Sequence, residues 1–574
     1  MMKTSTVKLL RASANAFKLI WRRATVAIFF WLLSMIVAFY SAHIRADFIN
    51  LLTTIVVGKG GPLRNLTILA LILIVLWIAD YLTNFIGEYS LQSLKPYTYR
   101  VLARQFVMKI LRARRSSFLR SGDILARFVS DLDPLSEALG GLLTAFIIQL
   151  IRLIAGVIIL YSLSPHLTMI ALTTIPVYYI VFKYTSRKIS RISDNERKCM
   201  SELVESVKIS VDGIKLVKRA SAQKFFENIV NRSLEDRFRL LLKLLFVRVF
   251  FGQTFNALYS LFTLILLIIG GYLVYLGYTT IGSVIAFSGA AYNIYEPITN
   301  MAYTFAHTAT YIPYLDRYRE ILLLEEERDE GEDLKRVDSI VCKSVRLVKD
   351  NVEVLKEIDF EIKRGEIVAI VGPTASGKTS LLLILSRIEE PSSGEVLVNG
   401  IDYRRFKASS VRRKIFYIPS KDFFFRASVL ENLTLGLQTD KDNILKALKI
   451  AKADFVKDIN VILDPEKLSD GEKQRLALAR ALILKPDVLL LDEALDAVDP
   501  TTEEYIIRNL RDLINSGRLG SAIIVTHRMS SLRYVDRVYV ISDGRIVCSG
   551  RSDEILKKSP ELQGMILRFE SDKR

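Results

Sequence analysis

Up to Tyr303 the chain is patterned in blocks rather than stripes. Six windows are almost wholly apolar: Val26–Ile44, Leu66–Gly87, Leu139–Tyr161, Thr168–Tyr184, Val249–Leu276 and Ile281–Tyr303. A helix in a soluble fold keeps a polar stripe, whereas one surrounded by lipid is apolar all round and needs roughly 20 residues to cross the hydrocarbon. One such window alone would fit a buried soluble helix; six at matching spacing predict six transmembrane helices. The first window follows a basic arm (Lys8, Arg11, Lys18, Arg22, Arg23) and has no small-residue cleavage site, so it reads as a retained span.

The polar stretches between windows set the orientation. Lys and Arg crowd the stretch from Lys95 to Arg127 and again from Arg187 to Arg219, while the other connections are short apart from the Gly-rich residues 58–62. Positive charge stays on the cytoplasmic side, which places both stretches and the N-terminus there. Helical spacing continues from the windows into these stretches, predicting helices that project into the cytosol. Ser121-Gly122-Asp123, the Asp131 and Asp133 pair, and Asp212-Gly213 mark breaks between helices.

Beyond the acidic linker Glu325–Asp333 the pattern changes to short apolar strands alternating with amphipathic helices, an α/β unit. The expected division is a membrane domain over 1–318, a linker over 319–336 and a soluble domain over 337–574. A buried strand from Ile367 runs into Gly372-Pro373-Thr374-Ala375-Ser376-Gly377-Lys378-Thr379, and Ser380 continues into an apolar helix. This is the G-x-x-x-x-G-K-T phosphate loop in its strand–loop–helix setting. Its backbone N–H groups and helix dipole cradle phosphates, Lys378 reaches the β- and γ-phosphates, and the Thr379 hydroxyl ligates Mg²⁺. A second apolar strand, Val488–Leu491, ends in Asp492 and Glu493. Beside a phosphate loop, Asp492 is placed to hold Mg²⁺ and Glu493 to polarise the attacking water.

Composition refines this without changing it. Of 574 residues, 51% are apolar and 24% charged, with a formal net charge of +18. The two basic stretches account for much of that excess, so it marks a membrane-flanking surface and not a nucleic-acid footprint. Three cysteines and four histidines form neither a disulfide framework nor a metal-ligand spacing.

Between the two nucleotide motifs stands Leu468-Ser469-Asp470-Gly471-Glu472-Lys473-Gln474-Arg475, opening a helix. It resembles the signature motif of ABC proteins, usually Leu-Ser-Gly-Gly followed by Gln or Glu, which other P-loop ATPases lack. Asp496–Asp499 is similar to the D-loop and Thr526-His527-Arg528 to the switch-histidine segment. Ser121–Asp131 and Asp212–Lys218 resemble the two coupling regions of ABC exporters, and Gly277–Gly282 resembles their consensus ahead of the last span. The resemblance implies an exporter-type half-transporter. Its fold would be an all-α six-helix transmembrane domain fused to an α/β P-loop cassette with a helical subdomain. It further implies ATP and Mg²⁺ as cofactors and a multi-pass position in the cell membrane. The partners implied are a second ABC half-transporter subunit, the lipid bilayer and an unidentified transported substrate. In such dimers Ser469, Asp470, Gly471 and Glu472 face the γ-phosphate held by the other subunit, and His527 contacts the γ-phosphate of its own.

Three departures qualify the resemblance. No Phe, Tyr or Trp occurs from Arg336 to Asp359, where the adenine-stacking aromatic of the family falls, leaving the Lys349 stem as a substitute. Ser420 stands at the Q-loop glutamine; its hydroxyl still suits Mg²⁺ but is shorter. Asp470 replaces a signature glycine, setting a carboxylate towards a triphosphate. Intact Lys378, Thr379, Asp492, Glu493 and His527 beside an altered signature imply one arm of an asymmetric heterodimer, with a homodimer left open. Against the exporter stands a nucleotide-gated channel or regulator with little turnover. Polar residues in the apolar windows (Asp80, Gln149, Arg152, Asn256, Asn293, Glu296, with His307 just beyond) mark either a pathway or ordinary interhelical bonding.

Overall fold

The computed structural model describes residues 2–57, 62–114, 121–308, 311–327, 329–349 and 351–558. Residues 58–61, Arg115, Arg120 and Arg328 lie outside these, as do the side chains of Lys8, Arg11, Lys18, Ser121 and His307. The chain forms two compact units, one helical and ending at Leu324, the other made of the chain from Glu325 onward together with Arg114.

The helical unit contains α1 (Met2–Val56), α2 (Leu63–Gln92), α3 (Leu94–Arg112), α4 (Ser121–Ser130), α5 (Leu132–Leu163), α6 (Pro165–Thr173), α7 (Ile175–Asp212), α8 (Ile214–Arg219), α9 (Gln223–Tyr275), α10 (Ile281–Ala290), α11 (Tyr292–Thr308) and α12 (Ile312–Leu322). Among the described residues, five of its helical stretches are long and apolar enough to cross a membrane. Their length exceeds what crossing requires. The 53 residues of α9 extend about 80 Å at 1.5 Å per residue, against a hydrocarbon core of about 30 Å. Beyond their apolar windows α7 and α9 pack through Ile189, Ile192, Leu244 and Val247, with an Arg237–Glu196 ion pair at 3.0 Å.

The sixth window differs from one continuous span. It is divided at Ala291 into α10 and α11, where Ile294 N–H bonds the Ala291 carbonyl at 3.0 Å in a tightened i to i+3 step. Pro297 one turn on has no N–H for the Asn293 carbonyl. That carbonyl lies against Gly156 of α5, where a Cβ would come within 2.6 Å of it. The break and the glycine together let α11 approach α5 backbone to backbone.

The second unit has two sheets. β1 (Ser339–Lys349), β2 (Val352–Lys363), β4 (Ser393–Val398) and β5 (Ile401–Asp402) form an antiparallel sheet in the order β2-β1-β4-β5. With β3 (Ile367–Val371), β6 (Ile415–Ile418), β7 (Val488–Asp492), β8 (Ser521–Val525), β9 (Arg537–Ser542) and β10 (Arg545–Arg551), the other runs β10-β9-β3-β8-β7-β6. All its pairings are parallel except that of β10 with β9. Ile367, Ala369 and Val371 enter one core and Val368 and Ile370 the other, so β3 is covered on both faces and reads as an unbroken apolar run. The helices are α13 (Lys378–Leu385), α14 (Ala408–Lys414), α15 (Val429–Thr434), α16 (Lys441–Ile450), α17 (Asp470–Ile483), α18 (Pro500–Asn515), α19 (Met529–Leu532) and α20 (Ser552–Lys558). Chain following the C-terminal ends of β3, β6, β7 and β8 carries residues 372–377, Ser420, Glu493 and His527, at the edge where open α/β sheets bind ligands.

Candidate nucleotide site

The phosphate loop leaves β3 at Gly372, where a Cβ would sit 2.0 Å from the Ile541 carbonyl, so no side chain fits. Ala375 (φ 64°) and Gly377 (φ 103°) turn the chain through left-handed conformations into α13. The Lys378 ammonium donates to the Gly372 and Pro373 carbonyls, both at 2.8 Å, which holds it over the loop. Ser376 is buried and its Oγ has no hydrogen-bond partner among the described residues. An orphaned hydroxyl inside a loop of N–H donors, with a lysine at its mouth, fits a triphosphate.

Asp492 at the end of β7 is 4% exposed and accepts from Tyr417 Oη at 2.9 Å. Burial pushes its carboxyl above the ordinary value, while the hydroxyls of Tyr417 and Thr379 pull the other way. Thr379 and Asp492 thus act on each other, a hydroxyl and a carboxylate of the kind that Mg²⁺ takes along with phosphate oxygens. Among the described residues no group of three His, Cys, Asp or Glu could hold a metal by itself. Ser420 is exposed, and the bond tying it to the site is made by its carbonyl.

Glu493 takes a left-handed backbone (φ 51°), and its Oε1 lies 2.7 Å from Nε2 of His527. Gln474 of α17 binds this corner together. Its Nε2 donates to the Ser420 and Glu493 carbonyls, each at 3.2 Å, and its Oε1 accepts from Ala497 N–H at 2.9 Å. Arg528 makes the next link: its guanidinium donates to the Asp496 and Val498 carbonyls at 2.6 and 2.8 Å and to Glu503 at 2.5 Å. Gln474 and Arg528 belong to the signature and switch-histidine stretches of the sequence but have no role legible there, because what each does depends on chain brought near it by the sheet.

The first turn of α17 is built around its own polar groups. Ser469 caps the helix and accepts from Glu472 N–H at 3.3 Å, while its hydroxyl and N–H donate to the Glu472 carboxylate at 2.8 and 2.9 Å. Those bonds hold the Glu472 carboxyl below its ordinary value, so it is an anion at neutral pH. Asp470 projects into solvent with Lys473 at 3.9 Å. At Gly471 a Cβ would meet the Ala497 carbonyl at 2.7 Å, so glycine is required where α17 touches the D-loop-like segment. At the place expected for adenine, Lys349 forms an ion pair with Glu389 at 2.6 Å.

Residues 21–291 match the model of the ABC transporter transmembrane region, and residues 355–496 match the ABC transporter model. The chain belongs to the ABC transporters. It is 27% identical over 561 residues to a probable multidrug resistance ABC transporter ATP-binding/permease protein of Bacillus subtilis, covering 94% of both chains. An uncharacterized ABC transporter ATP-binding protein of the same organism is 26% identical, with 89% of this chain and 87% of the relative covered. The ATP-dependent lipid A-core flippase of Syntrophus aciditrophicus is 26% identical, with 86% and 82% covered. This ABC transporter therefore joins a multi-pass helical membrane domain to an ATP-binding cassette in one chain, in the manner of exporter half-transporters. It couples ATP hydrolysis to transport, and like other exporters of the family it works as a dimer in the membrane.

Proposed function

We propose that this chain exports an amphiphilic, lipid, peptide or drug-like substrate as one arm of an asymmetric heterodimer, and that its own phosphate-loop site is the hydrolytic one. The observation carrying this reading is a contrast within one cassette. The Glu493–His527 pair sits beside a complete phosphate loop, whereas the helix end meant for the other subunit's nucleotide presents the carboxylate of Asp470 where the family has glycine. A carboxylate in place of the family's glycine at that end opposes a γ-phosphate, and the Ser469 hydroxyl is already engaged. Glu493 would accept the proton of the attacking water, with His527 holding both Glu493 and the γ-phosphate. Thr379 and Asp492, with Ser420, would hold Mg²⁺, which neutralises charge developing on the phosphates. In this reading the membrane domain occupies 1–318, the linker 319–336 and the cassette 337–574, with the cassette and N-terminus cytoplasmic. The short helices α4 and α8 would be its coupling regions.

The altered signature, the missing aromatic and Ser420 favour one other reading, a nucleotide-gated channel or regulator that scarcely turns ATP over. Mg-ATP hydrolysis in lipid, by this chain alone and with its partner, separates the two. Activity that requires the partner and vanishes in Glu493→Gln supports the asymmetric exporter. Binding without turnover in either preparation supports the regulator, and full activity from this chain alone removes the heterodimer.

A further inference from the structure

Four of the polar residues found in the apolar windows gather around one cavity. Asp80, Arg152, Asn293 and Glu296 line a space of about 410 Å³ between α1, α2, α5, α10 and α11, within the size range of small-molecule sites. Arg152 is 7% exposed, pairs with Glu296 and lies over the Trp31 ring, its Cζ 4.7 Å from the centroid. Its Nε has no partner among the described residues. Asn300 adds a bond to the second Glu296 oxygen at 3.2 Å.

With Arg152 and Glu296 matched to each other, two charges on the lining remain. Asp80 is half-buried and receives the Ser34 hydroxyl at 3.2 Å, with no cation paired to it among the described residues. Arg45 has no carboxylate partner there either, and its guanidinium lies against α10, 3.1 Å from where a Cβ of Gly289 would be. Asp80 lies inside its apolar window, where a lone charge costs several kcal/mol, while Arg45 is exposed one residue past the first window, so an occupant carrying both complementary charges relieves the cost at Asp80 and pairs with Arg45 as well. The two charges stand at opposite ends. Ser34, beside Asp80, and Arg45 are three turns apart on α1, about 16 Å at most along its axis. Between them the wall is apolar or small, with Met35, Ala38 and Ala42.

We propose that this cavity binds an elongated zwitterion with an apolar middle, its cationic end at Asp80 and its anionic end at Arg45, the chemistry of a short apolar peptide. An extended chain spans about 3.3–3.6 Å per residue, so about four to five residues fill the distance. That the ligand is cargo rests on the exporter reading; that it binds does not.

The test uses the full chain with its partner subunit in lipid nanodiscs, with Trp21→Phe and Trp77→Phe, and the fluorescence that a further Trp31→Phe removes reports the cavity. Apolar peptides from dipeptide to hexapeptide are titrated without nucleotide, each also N-acetylated or C-amidated, beside an ω-amino acid of matching length. Tightest binding is expected at four to five residues, with either block weakening it about ten-fold. In Asp80→Asn acetylation should no longer matter, and in Arg45→Gln amidation should no longer matter. Asp80→Glu and Arg45→Lys keep the charges and should keep the preference. Equal binding by the ω-amino acid assigns recognition to the charges; weaker binding adds the peptide backbone. Blocks that never matter, that matter equally in the matching variants, or a Trp31 signal unmoved by any ligand would overturn the proposal. ATP-driven uptake of the tightest peptide into inside-out vesicles is measured separately. Binding without uptake keeps the site and sinks the exporter reading, whereas uptake indifferent to both termini does the reverse.

Discussion

His527 Nε2 stands 2.7 Å from Glu493 Oε1, so the residue proposed to sense the γ-phosphate and the one proposed to activate water are already in contact. Replacing His527 by Ala leaves Glu493 without this orienting partner. Turnover should fall on the order of 10²-fold or more while ATP still binds, since aligned proton acceptors contribute about that much. Single-turnover hydrolysis beside nucleotide binding checks it; a loss confined to binding would contradict the assignment.

Asp470→Gly restores the family's glycine. A carboxylate about 4 Å from a phosphate oxygen costs on the order of 1 kcal/mol even at the dielectric of water, or about five-fold in an equilibrium. The variant should therefore raise ATP-dependent association with the partner subunit by at least that factor at low salt, and less at high salt. No gain at any ionic strength would remove repulsion as the cause of degeneracy.

Gln474→Ala deletes bonds to two carbonyls and one N–H at the site's corner. Leaving such groups unsatisfied costs about 1–3 kcal/mol, seen as a lower melting temperature. The sharper expectation is that kcat falls more than ATP affinity, because the lost bonds place Glu493 and not the phosphate loop. Ser469→Ala offers a contrast: it removes a helix cap worth about 1 kcal/mol but should leave hydrolysis at this chain's own phosphate loop unchanged.

Asp492 gives a pH test. Burial raises its carboxyl in the folded protein, so its neutral form favours folding. That contribution is complete below the ordinary carboxylate pKa and is lost as pH rises through the raised value. At neutral pH the buried anion is thus a cost that Mg²⁺ offsets. Asp492→Asn should melt higher than the parent without Mg²⁺ at pH 7, the gap closing as pH falls. It should also lose the stabilisation that Mg-ATP confers. Identical melting of the two proteins across the pH range would exclude this account.

The Arg152–Glu296 pair predicts non-additivity. Removing either partner leaves a buried charge, at about 3–5 kcal/mol, whereas Arg152→Met with Glu296→Met removes both and should cost less than either single change. Thermal unfolding in one detergent measures all three.

How far the chain could be read from its residues depended on whether a feature is local. Apolar windows and the run Gly372–Thr379 carry their physics within a few neighbouring residues, and the structure has the corresponding helices and the strand–loop–helix. The division at Ala291 escaped that reading because window composition is blind to it; the freed Asn293 carbonyl just past it meets Gly156, which belongs to another helix. Tyr417, Gln474 and Arg528 escaped for the same reason. A tyrosine in a strand, a glutamine in a helix and an arginine after a histidine look ordinary until the parallel strands bring their partners alongside. Conversely Asp80, Arg152, Asn293 and Glu296 could be singled out one by one as costly in lipid, but their sharing of one cavity is a property of helix packing.

Arg528 is bonded along the chain to His527 and across space to the carbonyls of Asp496 and Val498. Neighbouring Cα atoms are fixed 3.80 Å apart, leaving little slack between the two residues. A histidine drawn towards a phosphate would tow its neighbour's guanidinium, and with it the 496–499 stretch beside Gly471. News of the chain's own nucleotide would then reach the helix end offered to the other subunit by a tether one peptide bond long.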